Sequence, residues 1–191
     1  MLGQQRIFSK MTDINCMLCG LCSTRANVVV GKGPRSARLM IVGEAPGADE
    51  DLLGEPFIGR CGDLLTKMLD ECGLNRENIY ITNVVKCRPV EGKKNRAPTS
   101  AEIATCKRWL WGEMKNINPK IILTLGKTPT GLLLKLKKSF KLADYINKKH
   151  RLEYLSTSVI PCYHPSYLMQ TGRNKMDIAL ECIRLAKTNV F

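Results

Sequence analysis

Four short runs rich in β-branched and apolar residues stand out along the chain: Arg38–Val42, Asn78–Val85, Lys120–Leu125 and Thr157–Tyr163. Each has the length and composition of a buried strand. Between them the apolar positions change to helical spacing. Leu64, Leu65, Met68, Leu69 and Cys72 form one stripe, and Ile103, Cys106, Leu110 and Met114 form another. A third helical segment follows Gly126, and Met176 to Val190 reads as a closing helix with Ile178, Ile183 and Leu185 inward. Thr99 or Ser100, just ahead of Glu102, supplies an N-cap for the second stripe. Strands alternating with helices predict a mainly parallel sheet covered on both faces, a three-layer α/β/α architecture. Pro89–Pro98, with Gly92, Lys93, Lys94 and Asn95, is the most polar connection. The chain shows no internal repeat, and its 191 residues suit a single domain spanning 1–191.

This layout localises function. Open α/β sheets bind ligands beyond the carboxyl ends of their strands. Gly43-Glu44-Ala45-Pro46-Gly47 follows the first run, and Asn83 lies near the end of the second. Gly126 follows the third, and His164-Pro165-Ser166 follows the fourth. Four strand ends therefore converge on one rim.

Charge sharpens the picture. Thirty Lys+Arg against 17 Asp+Glu leave a net +13, an excess that points to a polyanionic partner. Residues 1–95 contribute a net +2 and residues 96–191 a net +11. The densest basic run holds Lys135, Lys137, Lys138, Lys141, Lys148, Lys149 and Arg151. Against this background Glu44, Asp49, Glu50, Asp51 and Glu55 crowd together, which marks either reaction chemistry or a helix N-terminus. No apolar run approaches the ~20 residues of a bilayer-spanning helix, so no membrane attachment is expected. Met1–Lys10 lacks the apolar core of a signal peptide, so the expected location is intracellular, cytoplasmic or nucleoid-associated.

Nine cysteines are the other unusual feature. An intracellular chain with an odd number of thiols is not a disulfide scaffold. Cys16, Cys19 and Cys22 form a C-x2-C-x2-C array, while Cys87 follows a strand and Cys106 lies on a helical stripe. Two close and two distant thiolates make a four-sulfur site that suits zinc or an iron–sulfur cluster. Cys61, Cys72, Cys162 and Cys182 read as small packing residues, and Cys22 stays open between the two roles.

Five motifs, taken together and in order, resemble the family 4 uracil-DNA glycosylases, iron–sulfur members of the uracil-DNA glycosylase superfamily. They are Gly43–Gly47 with Glu50-Asp51, Gly54-Glu-Pro-Phe-Ile-Gly59, Thr82-Asn-Val-Val-Lys-Cys-Arg-Pro89, Asn95-Arg-Ala-Pro98 and His164-Pro-Ser166. The resemblance runs from about Cys16 to the last helix. It implies a central four-stranded parallel sheet. It also implies a structural [4Fe–4S] cluster held by Cys16, Cys19, Cys87 and Cys106, the Cys16–Cys22 and Cys87–Cys106 segments forming the cluster region. The implied activity is hydrolysis of the N-glycosidic bond of uracil in DNA, with a flipped base and an abasic product.

On this resemblance His164 stabilises the departing uracil anion, as an oxyanion-hole donor would. Asn83 reads the base edge, since one amide offers both a donor and an acceptor. Phe57 is the stacking platform, and Gly43, Glu44 and Ala45 line the pocket. Glu50 and Asn95 are the paired polar residues that bridge two loops, and Glu44 or Glu50 orients the attacking water. Ser166, Tyr167, Leu168, Arg173 and Lys175 meet DNA, with Tyr167, Leu168 and Met169 supplying an apolar wedge and Arg173 and Lys175 meeting phosphates. The chain is expected to act as a monomer on uracil-containing DNA.

Two departures stand out. Ala45 occupies the place where a better-known branch of the superfamily carries Asp, which puts more weight on leaving-group stabilisation. The Cys87–Cys106 interval is a few residues longer than usual. No histidine lies in Pro89–Pro98, which sets aside covalent attachment through an inserted loop. The competing readings are a non-catalytic iron–sulfur DNA-binding paralogue and a low-potential electron carrier. The latter leaves the His164-Pro-Ser and Gly43–Gly47 motifs without a role.

Overall fold

In the computed structural model, which describes residues 12–153 and 155–190, the four β-branched runs become four parallel strands. These are β1 (Leu39–Gly43), β2 (Tyr80–Asn83), β5 (Ile121–Leu125) and β7 (Ser158–Cys162), in the spatial order β2-β1-β5-β7. The reading of Met1–Lys10 lies outside the described residues. Side chains alternate across β1: Leu39 and Ile41 face one core layer, Met40 and Val42 the other. Both faces are covered, which is why an unbroken apolar run, rather than an alternating one, encodes this strand.

Parallel neighbours need crossovers, and helices supply them. The layer on the Leu39 face is built by α2 (Gly59–Glu71) and α6 (Arg173–Val190). The layer on the Met40 face is built by α3 (Ser100–Ile117) with Leu133 of α4 (Lys127–Leu133). Two short helices, α1 (Ala48–Leu53) and α5 (Pro165–Leu168), start just past the ends of β1 and β7. Thr99 is the N-cap of α3: its hydroxyl accepts from the Glu102 amide, and the Glu102 carboxylate accepts from the Thr99 amide at 2.7 Å. In α6 the buried stripe is Ala179, Leu180, Cys182, Ile183, Ala186 and Val190, with Ile178 and Leu185 half-buried at its border.

The sheet carries one strand more than the four-stranded expectation. β6 (His150–Arg151) pairs antiparallel with β7, His150 opposite Val159 and Arg151 opposite Ser158. Two residues are too few to show a periodic pattern, so the run is silent in the sequence. Arg151 also suits the end of a sheet, where a basic side chain discourages pairing with another chain. The polar loop Pro89–Pro98 contains a second small element: β3 (Val90–Glu91) and β4 (Lys94–Asn95) pair across a turn where Gly92 takes φ 58°.

Chain continuing from β2 is tied to α3 by an ion pair inside the protein. Lys86 Nζ stands 2.6 Å from Glu113 Oε2, each side chain only 1% exposed. Glu113 also accepts from the hydroxyls of Thr82 (2.8 Å) and Thr12 (2.9 Å). Removing one partner strands a charge in the core, so Glu113→Ala is expected to lower stability by about 3–5 kcal/mol, measured by urea unfolding. A loss below about 1 kcal/mol, the range of a surface pair, would contradict this placement.

Candidate active site

The carboxyl ends of β1, β5 and β7 open onto a cavity of about 590 Å³. Its wall includes Glu44, Ala45, Glu50, Phe57, Asn95, Gly126, His164 and Ser166, contributed by four separate loops. Three of the four strand ends expected to converge therefore border one cavity, while Asn83, at the end of β2, is not part of its wall.

Strand register places two more of the expected residues. Gly43 and Asn83 are paired residues at the ends of β1 and β2. A Cβ on Gly43 would stand 2.5 Å from Phe57 Cζ and closer still to Asn83 Oδ1, so only glycine lets these two side chains meet. Asn83 is 1% exposed, and its Nδ2 has no hydrogen-bond partner among the described residues. An amide N–H buried without an acceptor is costly, which marks this one for a ligand.

Phe57 is held in an unusual backbone state, φ 54°. Its carbonyl accepts from Arg76 Nη2 at 2.7 Å, its amide donates to Glu50 Oε1 at 2.6 Å, and a side chain at Gly62 would overlap that carbonyl. The ring is 3% exposed, borders the cavity, and lies 6.1 Å from the His164 ring.

His164 caps α5. Its Nδ1 accepts from the Ser166 amide at 3.1 Å and faces Ser166 Oγ at 2.7 Å. An acceptor Nδ1 leaves the proton of neutral imidazole on Nε2. Burial lowers the His164 pKa to about 4, so the ring is neutral at physiological pH and Nε2–H is a donor. Ser166, expected to meet DNA, thus also orients His164.

The acidic cluster resolves largely into a helix N-terminus. Asp49, Glu50 and Asp51 occupy the first turn of α1, where the helix dipole favours negative charge. Asp51 accepts from the Ala26 and Asn27 amides, and Glu55 pairs with Lys32 at 2.7 Å. Glu50 closes a capping interaction with the Gly47 amide at 2.5 Å. Burial raises its pKa and the bonds from Gly47 and Phe57 oppose that rise. Glu44 instead stays at the cavity, with Oε2 accepting from the Thr128 hydroxyl.

Glu50 and Asn95 border one cavity and both stand beside Gly47, where a Cβ would lie 3.5 Å from Glu50 Oε2 and 3.8 Å from Asn95 Nδ2; Asn95 Oδ1 also accepts from Arg88 Nε at 2.6 Å. Several expectations change. Leu168 is not a wedge. It is 3% exposed and packs into the core because the single turn of α5 rotates it inward. Its neighbours Tyr167 and Met169 are the exposed apolar residues, at 43% and 41%. Tyr167 leans on Tyr163, whose hydroxyl accepts from Lys175 Nζ at 3.2 Å. Arg173 opens α6 on the surface. Cys61 lines the cavity rather than the core, which nothing in its sequence neighbourhood signals. Cys72, Cys162 and Cys182 are buried core residues as expected.

A second, small cavity is lined by Cys16, Cys19, Cys87 and Cys106 together, with Arg25 and Trp109 beside them; Cys22 does not line it. Cys106 Sγ accepts from the Lys86 amide at 3.3 Å, and Cys87 Sγ from Arg25 Nη1 at 3.5 Å. Burial pushes the Cys106 thiol up to about 11 and raises Cys87 as well, Arg25 opposing the latter. Among the described residues no three His, Cys, Asp or Glu side chains converge on a single-ion position. Four thiols thus line one small space, two of them met by N–H donors, which is the chemistry of sulfurs able to serve as thiolate ligands.

A sequence model of the uracil DNA glycosylase superfamily matches residues 30–184. The chain is 42% identical to a type-4 uracil-DNA glycosylase of Thermotoga maritima, over 91% of this chain and 88% of that protein. It is 41% identical to a type-4 uracil-DNA glycosylase of Saccharolobus solfataricus, over 79% and 71%. Identity falls to 32% with a type-5 uracil-DNA glycosylase of Pyrobaculum aerophilum, over 81% and 73%.

The His164 geometry predicts its titration. Folding lowers the pKa from an ordinary 6.5 to about 4. The unfolded chain therefore takes up a proton between those values that the folded chain refuses. The associated stability is complete above pH 6.5 and falls as pH drops toward 4. ¹⁵N NMR should show a neutral Nε2–H tautomer down to about pH 5, whereas an imidazolium at pH 6 would contradict this.

Proposed function

Because the chain belongs to the uracil DNA glycosylase superfamily, we propose that it hydrolyses the N-glycosidic bond of uracil in DNA, releasing the base and leaving an abasic site. The observation that carries this reading is a neutral imidazole donor on the cavity wall together with a buried amide without a partner at Asn83, whose strand neighbour Gly43 abuts Phe57 of that wall. Asn83 offers Nδ2–H to O4 and Oδ1 to N3–H of uracil, a pattern that cytosine does not satisfy. The base reaches that depth only after rotation out of the stack, at a cost of a few kcal/mol. Phe57 provides an apolar face for it.

As the bond between C1′ and N1 breaks, its electron pair goes to the base and the sugar becomes oxocarbenium-like. Negative charge builds on uracil O2, and His164 Nε2–H donates to it there. The imidazole is preorganised by Ser166, so little reorganisation is needed when the charge develops. Water adds to C1′, and its proton passes through solvent to the uracil anion, so that the products are neutral uracil and an abasic site with a hydroxyl on C1′. Glu44, with one oxygen held by Thr128, is the carboxylate placed to orient that water. Glu50, whose oxygens serve Gly47 and Phe57, is a positioning residue. Asn95 completes the rim on the opposite loop. The +13 net charge supplies attraction to the phosphate backbone, with Arg173 and Lys175 beside the site and Tyr167 and Met169 as the exposed wedge.

Cys16, Cys19, Cys87 and Cys106 would hold a [4Fe–4S] cluster, which supplies a structural cross-link between the Cys16–Cys22 segment and the chain leaving β2. The protein acts as a single domain and a monomer inside the cell; no helix among the described residues is long and apolar enough to cross a membrane.

Purified protein incubated with a uracil-containing oligonucleotide should give a strand break only after alkali. An intact strand after alkali would overturn the activity, and a break without alkali would overturn water as nucleophile. His164→Ala should slow turnover by about 10²-fold or more, the effect of losing one oxyanion donor. For the cofactor, Cys16→Ala or Cys87→Ala should lose visible iron–sulfur absorbance while Cys22→Ala keeps it. Colourless wild-type protein with stoichiometric zinc would overturn the cluster.

A further inference from the structure

Lys86 stands between the two sites and is bonded to both. Its backbone amide donates to Cys106 Sγ at 3.3 Å, and its ammonium reaches back to the carbonyl oxygen of Asn83 at 2.8 Å. The same ammonium touches Thr82 Oγ1 at 2.5 Å and Glu113 Oε2 at 2.6 Å. Glu113 lies two helical turns beyond Cys106 on α3, so one face of one helix presents both the cavity sulfur and the carboxylate. The chain from Thr82 to Cys87 is thereby held at both ends against that face. Strand residues end at Asn83, and the Val84 and Val85 amides still donate to the carbonyls of Gly43 (2.9 Å) and Glu44 (3.0 Å).

A fully buried lysine is an expensive residue, and an apolar side chain of similar volume would pack as well or better. Burial of this pair is therefore poorly explained by stability alone. Its geometry has a specific consequence: the ammonium bonds the carbonyl of the peptide whose N–H, on Val84, donates to Gly43 O at 2.9 Å, so the peptide leaving Asn83, whose side-chain amide is buried and unpartnered, is held from both sides. Reading a base edge with one amide demands that its plane be set before the base arrives.

We propose that Lys86, locked by Glu113, is a positioning residue for Asn83. It holds the base-reading amide in register and links that register to the four-cysteine cavity through Cys106. This rests on the reading of Asn83 as the group that recognises uracil. Neither Lys86 nor Glu113 touches the base; they act through the backbone of residues 83–87.

The test uses the full chain with Lys86→Met, and with the double variant Lys86→Met/Glu113→Met. The double variant removes both buried charges and keeps the volume, so it folds even where the single variant fails. Three quantities are read: the side-chain NH₂ signal of Asn83 by NMR, kcat and KM on a uracil oligonucleotide, and visible absorbance per protein. Expected is a shifted or broadened Asn83 signal and a loss of about 10²-fold in kcat/KM. Affinity for undamaged DNA and visible absorbance should be retained. An unchanged Asn83 signal with wild-type kcat and KM would overturn the proposal. So would loss of absorbance with an activity defect no different from that of Cys106→Ala, because the pair would then serve only the cysteine cavity. Wild-type protein inactive on uracil DNA would overturn the uracil reading, while the Asn83 signal would still decide whether Lys86 positions that amide.

Discussion

Gly43 and Asn83 stand opposite each other where β1 and β2 end, and there is no room for a Cβ between Asn83 and Phe57. The rest of the site depends on that missing Cβ. A parallel register brings the two strand ends level, a glycine lets the side chains close over it, and a loop with positive φ at residue 57 carries the ring in from the far side. Arg76, Glu50 and Gly62 have no evident place in the chemistry, yet each holds this loop against the sheet. Shape is set by backbone hydrogen bonds and close packing, and the reacting groups are few.

Electrostatics divides the labour in the same way. The molecule is strongly basic, yet five acidic residues gather near the rim. Asp51, Glu50 and Glu55 are spent on amides, a helix N-terminus and Lys32, which organises loops without leaving free charge beside a phosphate backbone. Asp49 and Glu44 border the cavity, Glu44 with one carboxylate oxygen steadied by the Thr128 hydroxyl. Opposite it, burial and Ser166 keep His164 neutral and aimed. An imidazolium would bind an anion more strongly, but a buried cation would be costly before any anion formed.

Much of this was legible in the chain. The four parallel strands coincide with the β-branched runs because both faces are buried, and the helix stripes and the Thr99 cap follow from 3.6-residue spacing and capping chemistry. That Gly126 and His164 border one cavity followed from their positions just past strand ends. What stayed hidden depends on long-range neighbours. Leu168 points inward because α5 is one turn long and its phase is set by Pro165 and the core beneath. β6 is too short to carry a period. Cys61 faces the cavity through the pitch of α2, and Glu113 sits in a stripe where a polar residue looks like an interruption until Lys86 is placed beside it. The tautomer of His164 needed the position of the Ser166 amide.

The most direct test is a crystal structure of the protein soaked with free uracil. Expected is a base lying against Phe57, with the Asn83 amide on O4 and N3 and His164 Nε2 within hydrogen-bond distance of O2. Uracil bound elsewhere, or bound here with O2 turned away from His164, would contradict the assignment of this cavity.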